Sequence, residues 1–363
     1  MTNKFLNVLF LAIVMVFASC SSDDDSPSGP INIVIEGAEI APEIGGPNEQ
    51  NQVYVDLSTN TTTAIQRDSW DLGFYSGSEF RVIINGSIYM AAAELSTTDI
   101  DAVNSSNQEV IDLQSQVAVG TFQAQSANYI DAPNGDITAT AIAEVSDNDG
   151  NNSVYLVNLG YEVGSNTPAT GSVEVAGEAR GWMKIRVLKN GNDYILQYAD
   201  LDAVSHQEVT ISKDSNYNFT FFSFNTESVV NVEPVASEWD LNFTVFTNEI
   251  PGYGAYGYSD FVVNNTLAGV GAYMIDTEID TELSYETFTL SDVDETNFEY
   301  NDRRAIGSSW RNGGGPGVQP SLKDNVFYIV NDTDGNLYKL KFLALTNESG
   351  ERGYPKFIYS LLQ

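Results

Sequence analysis

One histidine, a tyrosine-rich run and a tight group of arginines carry most of the chemistry this chain could perform. His206, in Ser205-His206-Gln207-Glu208-Val209, is the single imidazole, and a neutral imidazole is a good iron ligand. Met90 and Met274 stand at places that look equivalent in an internal repeat, and thioethers could also ligate iron. Tyr253, Tyr256 and Tyr258 punctuate Pro251-Gly-Tyr-Gly-Ala-Tyr-Gly-Tyr-Ser259. That composition suits an adaptable loop that stacks on planar or sugar ligands, and phenolate is a further iron ligand. Arg303, Arg304 and Arg311 place three of the sixteen cations within nine residues, with Trp310 among them. Arginine forks grip carboxylates and indole offers a flat surface, so this patch could hold a propionate-bearing macrocycle or an acidic sugar.

Each group also has a plainer reading. His206 fits a surface or capping residue at a strand start, Met90 and Met274 fit equivalent core positions, and Met183 beside Trp182 fits packing. The arginines fit internal pairing with abundant carboxylates, and the tyrosine run fits a loop folded over the open end of its own sheet. Asp147-Asn152 and Asp332-Asn336 lack the spacing and distal Glu of an EF-hand loop, so they read as hairpin turns. Asp276, Glu278 and Asp280 alternate like a solvated strand edge. One histidine, no free thiol after processing and no Gly-x-Ser-x-Gly elbow leave no nucleophile with a base, so no catalytic or metal site is expected and the chain reads as a non-enzyme.

The lone cysteine, Cys20, ends an apolar run from Phe5 to Ala18 that follows Lys4. The run is short for a membrane span and ends in small residues, as a cleaved signal does. Its surroundings resemble the lipobox of bacterial lipoproteins, and Ser21-Ser-Asp-Asp-Asp25 resembles the export tag of Bacteroidetes surface lipoproteins. Residues 1–19 are therefore read as signal peptide and 20–30 as an acylated tether, with palmitate-type chains holding outer-membrane lipid through Cys20. Fifty acidic residues against sixteen basic ones give a formal charge of −34, which excludes nucleic acid as a partner.

Short runs rich in aromatic and β-branched residues alternate with Asn-Gly and Asp-Gly turns, and no long helical period appears. The mature chain is expected to be all-β. It also repeats itself: Asp68-Ser-Trp-Asp-Leu-Gly-Phe74 matches Ser237-Glu-Trp-Asp-Leu-Asn-Phe243, and Gly86-Ser-Ile-Tyr-Met90 echoes Gly271-Ala-Tyr-Met274. Val154-Asn158 matches Phe327-Asn331, and Asn190-Tyr198 matches Asp334-Phe342. A tandem duplication with two antiparallel β domains, 31–214 and 215–363, follows.

Tyr54-Val-Asp-Leu57, Trp70-Phe74, Phe80-Gly86, Gly181-Arg186 and Asn190-Tyr198, echoed by Phe219-Phe224, Trp239-Phe243, Phe327-Asn331 and Asp334-Phe342, together resemble the HmuY family. Those proteins are all-β haem-binding surface lipoproteins of Bacteroidetes. The resemblance implies haem or a related tetrapyrrole as cofactor, an outer-membrane, surface-exposed location, and an outer-membrane haem transporter as partner. Family members clamp iron between two histidines or two methionines on central loops. The corresponding stretches here, Gly120–Asn152 and Asn297–Gln319, contain neither residue type. His206, Met90 and Met274 remain as haem-ligand candidates, and the tyrosine and arginine groups as ligand contacts. The alternative is a glycan- or protein-binding module that has kept the fold and lost haem ligation.

Overall fold

The computed structural model describes residues 35–314 and 318–363; the signal, Cys20 and the tether lie outside them. Four sheets of four or five strands hold all the described strands but β16 and β17, and every strand pair in them is antiparallel. In chain order the strands are β1 (Gly37–Ile40), β2 (Asn51–Asp56), β3 (Thr61–Gln66), β4 (Leu72–Tyr75), β5 (Val82–Ile84), β6 (Ala91–Glu94), β7 (Tyr155–Asn158), β8 (Trp182–Asn190), β9 (Asp193–Asp200) and β10 (Gln207–Ile211). There follow β11 (Phe219–Ser223), β12 (Ser228–Val230), β13 (Leu241–Ile250), β14 (Gly254–Asn264), β15 (Gly271–Asp276), β16 (Arg311–Asn312), β17 (Ser321–Leu322), β18 (Val326–Asn331), β19 (Leu337–Thr346) and β20 (Arg352–Leu361). The protein is all-β and tandemly repeated, as its strand-like runs predict.

The sequence repeat and the pairing of strands follow different divisions. One five-stranded sheet runs β10-β9-β8-β7-β6, and the other runs β1-β20-β19-β18-β15. The four-stranded sheets are β12-β11-β4-β5 and β14-β13-β2-β3. The opening strands of each repeat therefore complete sheets of the other: β2 pairs with β13 at Leu241↔Val55, and β11 pairs with β4 at Phe222↔Leu72. The boundary expected at 214/215 follows the sequence repeat, whereas the strand neighbourhoods run from β4 through β12, and from β13 through β20 with β1–β3.

The reason lies in the Trp-Asp-Leu motif. Asp240 Oδ2 accepts the backbone N–H of Leu57 at 2.8 Å, just past the end of β2. Asp71 Oδ2 accepts that of Phe224 at 2.6 Å, just past β11. Each motif carboxylate thus satisfies the terminal donor of the hairpin it receives, where an unpaired buried N–H would be costly. A second latch repeats as closely. Asn85 Nδ2 donates to the carbonyls of Arg67 (2.7 Å) and Trp70 (2.8 Å); Asn265 Nδ2 donates to those of Ala236 (2.8 Å) and Trp239 (2.9 Å).

Packing follows the same division. Leu72, Phe74, Val82 and Ile84 of one sheet bury against Tyr155, Val157, Ile185 and Leu196 of its neighbour. In the second unit Phe243 stacks on Phe357 (5.5 Å between centroids, 9° between planes) and Trp310 stacks on Phe342 (4.1 Å, 13°). Between the repeats lies a separate aromatic cluster of Tyr54, Trp70, Phe221, Val232 and Trp239.

Two sequence matches shift register. With Asn85 set against Asn265, Met90 corresponds to Val270, and both are buried. Met274, opposite Tyr328, corresponds to Glu94, opposite Tyr155, and like it is exposed. The two methionines are not equivalent. Likewise Asn190-Gly191 turns β8 into β9, whereas Asp334-Gly335 turns β18 into β19; the true counterpart of the first is the turn at Asn347–Glu351. Tyr-hydrophobic alternation is shared by several adjacent strands, so it matches well one strand out of place. Asp147–Asn152 forms a 3-10 turn before β7 rather than a hairpin, and beyond Asp276 the acidic run is a turn, not a strand face.

The twofold latch predicts that Asn265→Ala lowers the unfolding free energy by about 1–3 kcal/mol, read from urea midpoints at constant slope. A loss below about 0.5 kcal/mol would show that the two carbonyls find other donors.

Candidate ligand-binding site

Tyr256 and Tyr258 lie in strand rather than loop, and Tyr253 in the turn that leads into it. β13 pairs with β2 only over Leu241–Phe243, and beyond a bulge at Thr244–Phe246 its remaining residues pair with β14 alone. The distal hairpin is held by the first repeat: Ser126 Oγ accepts the N–H of Ala255 at 2.9 Å, and Gly120 N–H donates to the Ala255 carbonyl at 2.9 Å. Gly254, at φ +82, sits where a Cβ would lie 2.1 Å from the Gln123 carbonyl, so no larger residue could let the segments approach. That contact brings Phe122 to within 5.5 Å of Tyr256, which in turn meets Tyr258 edge-on at 5.5 Å. Phe122 is 62 % exposed, Tyr253 59 % and Tyr256 36 %. Phe122, Tyr256 and Tyr258 form a wet aromatic ridge, and Tyr253 stands exposed in the turn before β14.

Of the arginine group only Arg304 flanks this ridge. Its Nη1 donates to Asn248 Oδ1 at 3.0 Å, and Asn248 is the cross-strand neighbour of Tyr256; Nε and Nη2 grip Asp302 at 2.8 and 2.7 Å. Arg303 turns away, donating from Nε to the Pro133 carbonyl at 3.0 Å and lying 5.1 Å from the Phe246 ring. Arg311 donates to the Ser259 carbonyl and lies 3.6 Å from Asp260. Trp310, expected as a stacking surface, is wholly buried. The group is contiguous in sequence but scattered by the turns that carry residues 303–310.

The iron-ligand candidates do not converge. His206 Nδ1 lies 3.0 Å from Asp101 Oδ1 at the start of β10. Met90 packs in the first core, and Met274 stands exposed on β15. The two central stretches, 120–152 and 297–319, meet each other instead, through Arg303 N–H to the Asn134 carbonyl at 2.9 Å.

A family model described as HmuY protein matches residues 48–207 and again 215–359. The chain belongs to the HmuY family. Similar solved structures include a candidate HmuY-like heme-binding protein from Bacteroides vulgatus (19 % identity, 39 % of this chain and 83 % of that one, TM-score 0.20). A candidate lipoprotein from Bacteroides fragilis gives 13 %, 48 %, 92 % and 0.21. The apo HmuY analog of Tannerella forsythia gives 9 %, 91 %, 98 % and 0.24. A comparison with curated proteins yields no match. Both HmuY matches begin close to the hairpins that the repeats exchange.

Several charged groups of this HmuY protein escaped the sequence reading because nothing in spacing marks them. Arg180, inside the long 159–183 segment, pairs with the buried Asp71 at 2.6 Å. Glu49 accepts the Asp260 N–H at 3.0 Å, while Arg352 clamps Asp260 and Arg67 donates to four carbonyls, including those of Glu49 and Ser87. Burial, and then Asp260, raise Glu49 well above the usual carboxylate range. Burial likewise raises Asp131 to about 6, Asp240 to about 7 and Glu233 to about 8, against the N–H donors that favour their charged forms.

Because these acids bind protons more tightly when folded, their contribution is fully present below the unfolded carboxylate range and is lost as pH rises through the folded values. Thermal midpoints should therefore fall between about pH 5 and 9. Glu233→Gln, whose Oε1 can still accept the Phe219 N–H, should flatten the alkaline part of that fall. An unchanged slope in the variant would place the titration elsewhere.

Proposed function

We propose that this chain is a non-enzymatic, surface-anchored lipoprotein that binds haem or a related tetrapyrrole and passes it to an outer-membrane uptake system. The observation that carries the reading is the HmuY match over both repeats, joined by the heme-binding description of the Bacteroides vulgatus relative. Acylated Cys20 would hold the protein to outer-membrane lipid, with 20–30 as spacer. The residues present fit a tetrapyrrole in part: Phe122 and Tyr256 offer flat apolar contact and a tyrosine a phenolate for iron, whereas Arg304 is already paired with Asp302 and would have to leave it to meet a propionate. The bound group would supply the redox-active iron; the protein's part is to seat the ring.

The wide separation of His206, Met90 and Met274 favours a second reading, in which the fold is kept and the ridge serves a glycan or partner protein. Exposed tyrosines with an arginine beside them suit either contact.

Haem titration of the mature chain from Ser21, followed by visible absorption in both iron oxidation states, separates the two. The first reading expects a saturable, sharpened Soret band that survives His206→Ala and weakens at least fivefold in Tyr253→Phe/Tyr256→Phe. A flat titration transfers the function to the glycan- or protein-binding reading.

A further inference from the structure

Glu49 is wholly buried, and both its carboxyl oxygens accept the Asp260 N–H, at 3.1 and 3.0 Å. Asp260 stands where β14 changes register. Thr244 pairs with Phe261 and Phe246 with Tyr258, so Ser259 and Asp260 together oppose Val245. That is a β-bulge, and within it Asp260 takes a left-handed φ of +47, a conformation unfavourable to any residue but glycine. A bulge bends its strand and re-aims the side chains beside it. Here the part of β14 that precedes the bulge carries Tyr256 and Tyr258, the two tyrosines of the ridge.

This ribbon is mounted at two points. Its tip is tied to the first repeat through Ala255. Its base is the bulge, on which segments distant in sequence close. The 3-10 turn Gly46–Asn48, which presents Glu49, approaches β20 so closely that a Cβ at Gly353 would lie 1.9 Å from the Gly46 carbonyl. From β20, Arg352 donates to Asp260 Oδ2 at 3.1 Å and to Ser259 Oγ at 2.9 Å. From β16, Arg311 donates to the Ser259 carbonyl and lies 3.6 Å from Asp260. The Tyr89 ring fills the place that a Cβ at Gly257 would take, 2.2 Å away, and its hydroxyl is within electrostatic reach of Glu49, Arg67 and Tyr256.

Glu49 thus supplies the acceptor for the bulge amide from the middle of a charged cluster. The arginines around it are committed elsewhere: Arg352 and Arg311 to Asp260, and Arg67 to four carbonyls. Burial, and then Asp260, make the Glu49 carboxyl hold its proton, against the Asp260 N–H, Arg67 and Arg352, which favour the charged form. A group that binds its proton more tightly in one arrangement destabilises that arrangement when the proton leaves. The seated bulge is therefore the arrangement of the neutral carboxyl.

We propose that Glu49 is the positioning residue of the aromatic ridge: through the Asp260 bulge it holds Tyr256 and Tyr258 in line with Phe122 while neutral, and releases them when ionised. The consequence for a ligand rests on the ridge being the site proposed above; the control of the hairpin does not.

Amide exchange of the ligand-free mature protein, read by mass spectrometry and corrected for the intrinsic effect of pH, tests that control. From about pH 6 to about pH 9, peptides spanning 254–260 should lose at least roughly tenfold more protection in the wild type than in Glu49→Gln, which keeps the acceptor and cannot ionise. Peptides spanning 194–200, in the first unit, should respond alike in both. Glu49→Ala, which removes the acceptor, should leave 254–260 poorly protected already at the lower pH. Haem titration at the same two values reads the consequence, with affinity falling about fivefold or more in the wild type and holding in Glu49→Gln. An equal pH response of 254–260 in the wild type and Glu49→Gln would overturn the proposal, as would full protection in Glu49→Ala. The expected exchange with no haem bound, or with haem binding indifferent to pH, would move the ligand off the ridge and leave the control of the hairpin by Glu49 standing.

Discussion

A carboxylate that receives the last amide of a borrowed strand organises this molecule. Asp71 and Asp240 occupy the same place in the duplicated motif and do the same task, but they complete their remaining valences differently. Asp71 Oδ1 takes Arg180 from the long segment between β7 and β8. Asp240 Oδ1 takes the Thr333 N–H at 2.9 Å from the tight turn that replaces this segment in the second repeat. A charged fork and a plain turn amide have thus become interchangeable solutions to one demand, that a buried carboxylate be fully bonded. The hairpins held in this way carry Tyr54 onto Trp239 and Phe221 onto Trp70, edge to face.

How much of this was legible follows the range of each interaction. Strand runs, Asn-Gly turns and the duplicated Trp-Asp-Leu are local patterns, and the all-β repeat could be read from them. The family resemblance likewise rested on strand motifs such as Tyr54–Leu57. The exchange of hairpins was not legible, because Val55 looks the same whether it pairs within its own repeat or with Leu241. Register was lost where neighbouring strands carry similar alternation, so Met90 and Met274 appeared matched although one is core and the other surface. The candidate site divided along the same line. Tyr256 and Arg304 meet through Asn248, which no motif singled out, and Phe122 arrives from 134 positions away. Trp310 stood out in sequence beside three arginines, yet the turn that carries it packs its indole on Phe342 in the core.

The acidic balance gains a structural meaning from these placements. Most of the described carboxylates lie in water, but Glu49, Asp71, Asp240 and Asp260 are buried at seams where distant segments are tied together. The few cations are spent there too: Arg67, Arg180 and Arg352 all reach inward. The outer surface is left with little positive charge, and Arg304 beside the aromatic ridge stands out the more for that.

The strand order also dictates a schedule of assembly. By the time β12 has been made, every strand of the first unit exists, and that unit can close on itself. The hairpin of β2 and β3, made earlier, cannot: Leu57 finds Asp240 183 positions later, and its carbonyl meets Tyr359 across 302. Val53, Tyr54 and Val55 therefore remain an apolar strand edge without a second neighbour until β13 has been made, and β1 waits for β20 at the end of the chain. The segment made first is placed last, and the protein emerges through a period in which it is half finished and open to any strand that fits.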